Sequence, residues 1–491
     1  MQKISIIGSG FSSLSAACYL AKEGKRVKVY EKNDQLGGRA RILKHEGFTF
    51  DMGPSWYWMP DVFENFFADF NKKPSDYYQL LRLSPAYKVF FDDFKDVEIP
   101  ANFEEIVKVF EKEEEGSGEK LKVFMADAGY NYKVAIEKIV NKPGFSPLEL
   151  ITPETVTKIN QFFTSISSKI RKNFKSSKLI QILEFPVLFL GAKPQDTPLF
   201  YNFMNYADFV LGTWYPKGGM VKIVEAMVDL GKELGVEYIT KADVTKINTE
   251  KGVVKGITVG DEFISSDIVL SGADYAHTET LLENNMRQYS DAYWNKKIFA
   301  PSSLLFYVGF DKKLTNVRHH NLFFDKSFDK HADEIYDDPK WPKDPLFYAS
   351  FPSITDNSVA PEGKECAFFL VPLAPGLTYE QDLPDSYFKV LLKRLEEQTN
   401  QELEKHVLFK IPFCVEDFKK EYNSYKGNAY GMANTLRQTA FLRPSIKSKK
   451  VKNLFFTGQL TVPGPGVPPA LISGRIVSEQ ISKETFKKSV L

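Results

Sequence analysis

The sequence is short of the residues that build metal sites and disulfide frameworks. Among its 491 residues are only three cysteines and six histidines. Cys18, Cys366 and Cys414 lie far apart and form no CxxC pair, so we expect no disulfide framework and a reducing, cytoplasmic compartment. No histidines have the HExxH spacing, and the adjacent rings of His319 and His320 do not normally converge on one metal. We therefore predict no metal site.

Long apolar runs and a strong net charge are missing as well. No stretch of about 18 uncharged apolar residues occurs, so we expect no transmembrane helix. The first residues lead directly into a strand, so no signal peptide is expected. A net charge of +1 creates no global field, and no nucleic-acid partner is predicted. Phenylalanine (41) and tyrosine (23) are abundant, which suits either a Phe-rich core or the lining of an extended apolar cavity.

A glycine-rich turn near the start of the sequence joins a strand to a helix. Residues 3–7 have the pattern of a short buried strand, residues 14–22 that of a helix, and residues 27–30 that of a second strand. Together they predict a βαβ unit. In the motif GSGFSS, which starts at Gly8, the first glycine permits a tight turn, and Gly10 lets a pyrophosphate approach the helix N-terminus.

An acidic residue ends the second strand of this unit. Glu31 has the spacing at which a carboxylate holds the ribose hydroxyls of a dinucleotide, and it disfavours a 2′-phosphate. Ser13 replaces the third glycine of the usual motif and is still small enough for the helix to pack closely on the strand. The alternative interpretation is a glycine turn that binds no nucleotide.

Gly37-Gly38-Arg39 follows the acidic residue and favours FAD over NAD. The glycines let the chain pass close to a large cofactor, and Arg39 offers a fork of donors to its phosphates. The alternative is an ordinary surface turn with a solvated arginine. The loop DMGPS at residues 51–55 has the position of a second loop that contacts the cofactor. FAD is therefore the predicted cofactor.

The end of the sequence has a strand, a rigid Pro/Gly loop and a helix in succession. The strand covers residues 453–458, the loop PGPGVPPA covers residues 463–470, and the helix continues to Ile481. Such a helix end can face a flavin ring oxygen and stabilise negative charge on the reduced ring. The alternative is a stiff turn. No catalytic side chain can be assigned, so the flavin would carry the hard chemistry.

These patterns predict an α/β protein whose nucleotide domain is assembled from separated stretches. Between those stretches lie a helical block rich in aromatic and basic residues and a block of strand-like runs. We expect a discontinuous Rossmann-like FAD-binding domain and a mixed α+β substrate-binding domain. The predicted FAD-binding domain comprises residues 1–75, 214–300 and 416–491, and the substrate-binding domain comprises residues 76–213 and 301–415.

Several motifs occur in a characteristic order along the sequence. They are VYEKNDQLGGRA with FDMGPS, WYPKGGM at 214–220, SDIVLSGAD at 266–274, APSSLLFYVGFD at 300–311, HHNLFF at 319–324, YGMANTLRQTAFLRP at 430–444 and NLFFTGQLTVPGPGVPPALISG at 453–474. With them the sequence resembles the bacterial phytoene desaturase family of carotenoid desaturases, within the amine-oxidase-like flavoproteins, over essentially its whole length. Its ending is similar to that of flavobacterial-type desaturases.

The resemblance implies an FAD-dependent oxidation of an apolar carotenoid, either phytoene-type or hydroxylated. A hydride would leave an allylic carbon for the flavin, a proton would follow, and the polyene would gain a conjugated double bond. Oxygen or a membrane quinone would then accept the electrons. The alternatives are a carotenoid isomerase or retinol-saturase-type flavoenzyme, and a GDI-like lipid-escort protein without redox activity.

The residue contacts implied by the resemblance and by the loops above all concern FAD. The pyrophosphate would lie against the GxG turn and the adenosine ribose against Glu31. Adenine would contact the backbone of Val244, and the ribityl chain and ring would lie against the C-terminal loop. The predicted FAD-binding residues are Gly8, Ser9, Gly10, Phe11, Ser12, Glu31, Lys32, Gly38, Arg39, Gly53, Pro54, Ser55, Val244, Gly458, Gln459, Val467 and Pro468.

Residues 158–190 are the candidate contact with a membrane, from which a water-insoluble carotenoid would be collected. The first 26 residues of this segment include six basic side chains and no acidic one. A basic amphipathic helix before an apolar hairpin predicts a segment that lies in the interface, at the inner face of the cell membrane. The alternative is a solvated basic face packed on the core. The apolar residues near helical spacing are Phe162, Phe163, Ile166, Ile170 and Phe174.

Overall fold

The computed structural model describes residues 1–435 and 437–489, without the side chains of residues 189, 190 and 486–489. The strands are β1 (Lys3–Ile7), β2 (Arg26–Tyr30), β3 (Ile42–His45), β4 (Phe48–Asp51), β5 (Leu80–Arg82), β6 (Tyr87–Phe91), β7 (Val97–Ile99), β8 (Trp214–Pro216), β9 (Glu237–Ile239), β10 (Val244–Glu250), β11 (Val253–Val259), β12 (Glu262–Ser265), β13 (Ile268–Ser271), β14 (Ser302–Phe310), β15 (His320–Phe324), β16 (Phe347–Ser350), β17 (Glu365–Leu373), β18 (Val407–Phe413) and β19 (Leu454–Phe456). The α-helices are α1 (Phe11–Lys22), α2 (Pro60–Ala68), α3 (Phe103–Glu113), α4 (Ser117–Val134), α5 (Pro153–Thr157), α6 (Ile166–Asn173), α7 (Ser177–Glu184), α8 (Phe203–Tyr206), α9 (Val221–Glu233), α10 (Tyr275–Thr280), α11 (Asp291–Asn295), α12 (Phe328–Tyr336), α13 (Leu383–Thr399), α14 (Val415–Tyr422) and α15 (Val467–Ser489).

A parallel sheet of five strands is built from three stretches that are far apart in the sequence. Its strand order is β19, β13, β1, β2 and β9, and each neighbouring pair is parallel. β1, α1 and β2 form the predicted βαβ unit. α15 packs closely on α1 because residue 474 is glycine: a Cβ there would lie 2.4 Å from the carbonyl oxygen of Ser12. The sheet therefore joins the start, the middle and the end of the chain.

A mixed sheet of seven strands is built from the two blocks between those stretches. Its order is β18, β14, β17, β16, β15, β6 and β7, and each neighbouring pair is antiparallel except β15 with β6. The predicted strand-like runs form β14 and β17, which pair along nine residues. Phe306 and Phe369 face one buried cluster, and Tyr307 and Phe368 face another on the opposite side of the sheet. The abundant aromatic residues thus build a core on both faces of this sheet.

The predicted α/β fold class is confirmed by these two sheets and the helices packed on them. The discontinuity of the first sheet agrees with the expected assembly of the nucleotide domain. The limits of the two domains stay a prediction.

The candidate membrane segment folds differently from its prediction. Instead of one amphipathic helix and an apolar hairpin, residues 158–190 form a 3₁₀ turn, α6, α7 and a second 3₁₀ turn. Ile166, Ile170 and Phe174 are buried in the protein core. Their apolar stripe therefore packs on protein and is not available to lipid, so this part of the prediction is wrong. Phe163, in contrast, is 80% exposed.

Half of the basic side chains of that segment form ion pairs with acidic residues of the protein, which lowers the positive charge available to a membrane. The pairs are Lys158 with Asp127, Arg171 with Glu184 and Asp329, and Lys178 with Asp93.

Within the described parts of the chain, the helices are all too short or too polar to cross a bilayer.

Candidate functional site

One long cavity runs from the carboxyl ends of the parallel strands to the space beneath the mixed sheet. It measures about 590 Å³, within the range of ligand-binding pockets. Ligands of open parallel sheets bind at this edge because the loops after the strands converge there. Every predicted FAD-binding residue lines this cavity: Gly8, Ser9, Gly10, Phe11, Ser12, Glu31, Lys32, Gly38, Arg39, Gly53, Pro54, Ser55, Val244, Gly458, Gln459, Val467 and Pro468. Their contact with FAD stays a prediction.

The turn between β1 and α1 leaves room for an anion. Gly8 adopts φ +83°, and a Cβ there would lie 3.3 Å from the amide nitrogen of Ala273, so the turn needs glycine. A Cβ on Gly10 would meet no protein atom within 4 Å. Gly10 also precedes α1 without any side-chain cap, which leaves the first helical amides free for a ligand.

Ser13 occupies the position of the third glycine of the motif. It is buried, and a Cβ on Gly272, at the end of β13, would lie 2.0 Å from the Ser13 hydroxyl. The small residues on the two sides let α1 pack against the sheet.

The Glu31 carboxylate is held in place at the end of β2. One of its oxygens accepts hydrogen bonds from the backbone amide and the hydroxyl of Ser9, at 3.0 and 2.7 Å, and the other accepts from the amide of Asn33 at 3.0 Å. The side chain is therefore oriented before a ribose arrives. The neighbouring Lys32 is engaged elsewhere, because its Nζ donates to the carbonyl oxygen of Lys420 at 2.6 Å.

Arg39 has donor capacity that the protein leaves unused. One of its Nη atoms donates to the Ser424 hydroxyl and the Asn428 carbonyl oxygen, at 3.0 and 3.2 Å, and the guanidinium lies over the ring of Tyr422. Its buried Nε has no partner among the described residues. Burial lowers the pKa of Arg39, and nearby Asp274 opposes this shift. A cation with free donors at the cavity wall fits a phosphate group.

The C-terminal loop begins beside the glycine turn, because a Cβ on Gly458 would lie 3.1 Å from the Ser12 hydroxyl. Gly458 adopts φ +105°, and its amide donates to the Ser473 hydroxyl on α15 at 3.0 Å. A Cβ on Gly431 would lie 2.8 Å from Cγ of Gln459, so the 427–434 segment packs directly on this loop. The donor-rich cradle, the uncapped helix and the aligned loops all fit FAD.

Beyond this cleft the cavity is predominantly apolar. Its walls include Trp58, Ile139, Phe185, Phe200, Phe324 and Phe368. Such walls bind a hydrocarbon chain by the hydrophobic effect and exclude water.

A few hydroxyl groups interrupt the apolar walls. The Ser303 hydroxyl is buried and makes no close, well-aligned hydrogen bond in the described part of the protein. It interacts with the phenol of Tyr430, whose pKa burial raises to about 12 while the Ser303 hydroxyl opposes that shift. A second group is formed by the Tyr348 hydroxyl, which lies 3.0 Å from the Ser55 hydroxyl and 2.6 Å from Nδ1 of His320. Burial lowers the pKa of His320 well below its usual value, so its ring is neutral.

Sequence reasoning missed several polar residues at the cleft. Asp274 lines the cleft and accepts hydrogen bonds from the backbone amides of His277 and Tyr425, both at 3.2 Å. Its carboxylate also attracts the positive charge of Arg39. The motif SDIVLSGAD contained a signal, an acidic residue between a buried strand and a helix. Arg443 lies within the motif YGMANTLRQTAFLRP, but its role was missed because only the fold brings the 432–438 segment and the 459–461 loop around it. The described residues contain no group of side chains arranged to hold a metal.

Comparisons with known proteins agree with this geometry. Residues 11–482 match the family model of flavin-containing amine oxidoreductases. The chain is 41% identical over 487 residues to the carotenoid 3,4-desaturase of Haloarcula japonica, with 98% of each chain covered. It is 31% identical to the zeta-carotene-forming phytoene desaturase of Myxococcus xanthus, with 98% of this chain and 94% of the relative covered. An oxidoreductase structure from Methanosarcina mazei covers 97% of this chain and 100% of its own, with a TM-score of 0.62 and 17% identity, and shows the shared fold.

Proposed function

Because the chain belongs to the family of flavin-containing amine oxidoreductases, and within it to the FAD-dependent carotenoid desaturases, we propose that it acts on an acyclic, hydroxylated carotenoid. The bond that it oxidises would be the 3,4-bond. The identity of 41% with the Haloarcula japonica carotenoid 3,4-desaturase carries this proposal, against 31% with the Myxococcus xanthus phytoene desaturase.

The incompletely satisfied Ser303 hydroxyl supports a substrate that carries a hydroxyl group. A buried hydroxyl that lacks a good hydrogen bond costs free energy, up to roughly 1–3 kcal/mol, part of which a ligand group can recover. Ser303 interacts with Tyr430 of the 427–434 segment, which packs on Gln459 of the predicted ring-binding loop. A substrate hydroxyl bound there would lie close to the bond that is oxidised. A pure hydrocarbon substrate would offer Ser303 and Tyr430 no further hydrogen bond.

Bound FAD would supply the hydride acceptor in the proposed reaction. The residues of the chain hold the polyene, exclude water and position the substrate. The aromatic and aliphatic walls hold the polyene extended and keep water away from the allylic cation that develops as the hydride leaves. The hydroxyls of Ser303 and Tyr430 set the position of the substrate along the cavity, so that one carbon–carbon bond faces the ring.

A competition between substrates tests this proposal. The holoprotein is incubated with equal amounts of an acyclic carotene, the same carotene with a terminal tertiary hydroxyl group, and a cyclised carotene. Products are separated by chromatography and identified by absorbance. We expect kcat/KM for the hydroxylated carotenoid to exceed that for the others at least tenfold. A preference for the unhydroxylated carotene, or for phytoene, would indicate that the protein is a phytoene-type desaturase instead.

An exposed apolar surface at the mouth of the cavity supports contact with a membrane. Residues 145–163 present side chains that are 49–80% exposed: Phe145, Leu148, Ile151, Val156, Ile159 and Phe163. Exposed apolar residues concentrated in this way are typical of interaction sites. Glu149 of this surface lines the cavity, as do Lys142 and Gly144 just before it. A Cβ on Gly144 would lie 3.4 Å from the carbonyl oxygen of Ala440, which also lines the cavity. Lipid at this surface would deliver a carotenoid directly into the cavity.

The 145–163 surface thus replaces most of residues 158–190 as the proposed membrane contact. The enzyme would lie on the inner face of the cell membrane without spanning it. Oxygen or a membrane quinone would accept the electrons that leave the substrate, and turnover without oxygen, with and without an added quinone, distinguishes the two.

A further inference from the structure

Arg443 is a buried cation in a neutral environment. Its side chain is 4% exposed. Each of its three nitrogen atoms donates hydrogen bonds, and every acceptor is an uncharged oxygen. The acceptors are the carbonyl oxygen of Thr461 at 2.9 Å, Oδ1 of Asn434 at 2.6 Å, and the carbonyl oxygens of Gln438 at 3.0 Å, Met432 at 3.0 Å and Gln459 at 2.8 Å.

No carboxylate of the described residues pairs with this guanidinium. The titratable groups that face it are the phenols of Tyr201 and Tyr293 and the ammonium of Lys297. Burial lowers the pKa of Arg443 to about 10, so the group remains charged at neutral pH. Arg394, also buried, shows the usual arrangement, because it pairs with Asp325. Buried charges are normally paired, since desolvation is costly without a partner.

The unpaired charge lies directly behind the wall of the cofactor cleft. Asn434 and Gln459, which accept hydrogen bonds from Arg443, both line the cavity. A Cβ on Gly464 would lie 3.4 Å from Cζ of Arg443. The guanidinium therefore connects the 432–438 segment with the 459–464 loop, which is predicted to border the flavin ring.

We propose that Arg443 is the counter-charge for reduced FAD and also fixes the loop beside the flavin ring. A hydride brings two electrons and one proton to a neutral ring, so the product carries one negative charge. In a site of low dielectric, a fixed positive charge that is separated from the ring only by the residues of the cavity wall stabilises that product more than the oxidised ring. Arg443 thereby makes bound FAD a better hydride acceptor. The inference rests on the FAD site and is independent of which carotenoid is oxidised.

The midpoint potential of bound FAD tests this role without any carotenoid. It is measured in the purified holoprotein by reduction in equilibrium with a reference dye. Arg443→Gln is expected to weaken binding of reduced relative to oxidised FAD at least tenfold, which is a fall of about 30 mV for a two-electron couple. Arg443→Lys keeps a positive charge and is expected to keep most of the wild-type potential.

Two further variants make the test decisive. Arg394→Gln combined with Asp325→Asn removes a buried ion pair away from the cleft and should leave the potential unchanged. Arg443→Met fills a similar volume and replaces Arg443→Gln if that variant does not retain FAD. A neutral variant that holds FAD at the wild-type potential would overturn the proposal. An equal fall in Arg443→Lys would also overturn it, because the effect would then belong to the lost hydrogen bonds.

Discussion

Gly38 lies against Gly10, because a Cβ built on Gly38 would be 3.3 Å from the Cα of Gly10. The two glycine motifs, recognised separately in the sequence, thus form one continuous surface at the edge of the parallel sheet. Gly38 has φ +57°, whereas Gly10 has an ordinary φ of −67°. The backbone therefore does not require glycine at position 10, and the open space beside it is where we predict that the pyrophosphate lies.

Substitution of Gly10 separates binding from folding. Gly10→Ala is expected to change the free energy of unfolding of the apoprotein by less than about 1 kcal/mol, since the backbone is ordinary and only the helix cap is affected. The same variant should bind FAD at least tenfold more weakly, because its methyl group occupies the place of the pyrophosphate. Calorimetric titration of apoprotein with FAD measures this affinity.

Gly24→Ala is the matched control for that experiment. Gly24 has φ +76° and open space around it, in the turn that follows α1. Its replacement should cost roughly 1–2 kcal/mol of stability through backbone strain and leave FAD affinity unchanged. Wild-type affinity in Gly10→Ala would remove the glycine turn from the cofactor site.

Replacement of Glu31 tests the ribose contact. Glu31→Arg should abolish retention of FAD in a largely folded protein, because arginine loses the ribose bonds and places a cation beside Ser9. Glu237→Arg, an exposed change on the neighbouring strand β9, should retain the flavin. Flavin occupancy is read from the absorbance of purified protein. Full occupancy in Glu31→Arg would contradict the assignment.

Much of the nucleotide-binding region could be predicted because its signals are local. A glycine turn, a helix of small residues and a strand ending in Glu31 are consecutive in the sequence, and each restricts the conformation of the next. The predicted strand at residues 453–458 contains β19. The carboxyl ends of parallel strands meet at one edge of a sheet, and this fixed geometry explains why all the predicted residues line one cavity.

The membrane segment could not be predicted in the same way. Ile166, Ile170 and Phe174 have a helical spacing that is equally compatible with lipid and with a protein core, and only the tertiary structure shows that they pack inward. The exposed residues Leu148 and Phe163 belong to short turns without periodicity. Arg443 belongs to the motif at 430–444, but its role has no local signal, since its acceptors are mainly backbone carbonyl oxygens that only the fold brings to it.

A pair of neighbouring serines tests the proposed recognition of a hydroxyl group. Ser303→Ala should keep most of the stability of the apoprotein, because the lost hydroxyl makes no close hydrogen bond, and should reduce the preference for the hydroxylated carotenoid about tenfold. Ser302→Ala removes a hydroxyl that donates to the Gly427 carbonyl oxygen at 2.5 Å. It should lower stability by about 1 kcal/mol and keep the preference. An unchanged preference in Ser303→Ala would mean that the substrate hydroxyl binds elsewhere or is absent.

Vesicle binding tests the 145–163 surface. Leu148→Glu combined with Phe163→Glu should strongly reduce co-sedimentation with anionic vesicles, because both changes place charge in an apolar interface. Lys169→Glu, Lys172→Glu and Lys175→Glu together should have a smaller effect that disappears at high salt. Val123→Glu, at an exposed apolar position on α4, serves as the control. Equal binding of the first variant and the wild type would exclude this surface as the membrane contact.

The most direct test of the central claim is a single turnover without oxygen. Holoprotein with oxidised FAD is mixed with a stoichiometric amount of hydroxylated acyclic carotenoid, and absorbance is followed from the near ultraviolet to the red. A desaturase should bleach one equivalent of flavin for each double bond formed, while the carotenoid bands shift to longer wavelength. An unchanged chromophore length with altered chromatographic retention, beside flavin that stays oxidised, would indicate an isomerase. A saturase would react only when the flavin is reduced beforehand, and the carotenoid bands would then shift to shorter wavelength. A carotenoid that is bound but unchanged beside oxidised flavin would contradict the account.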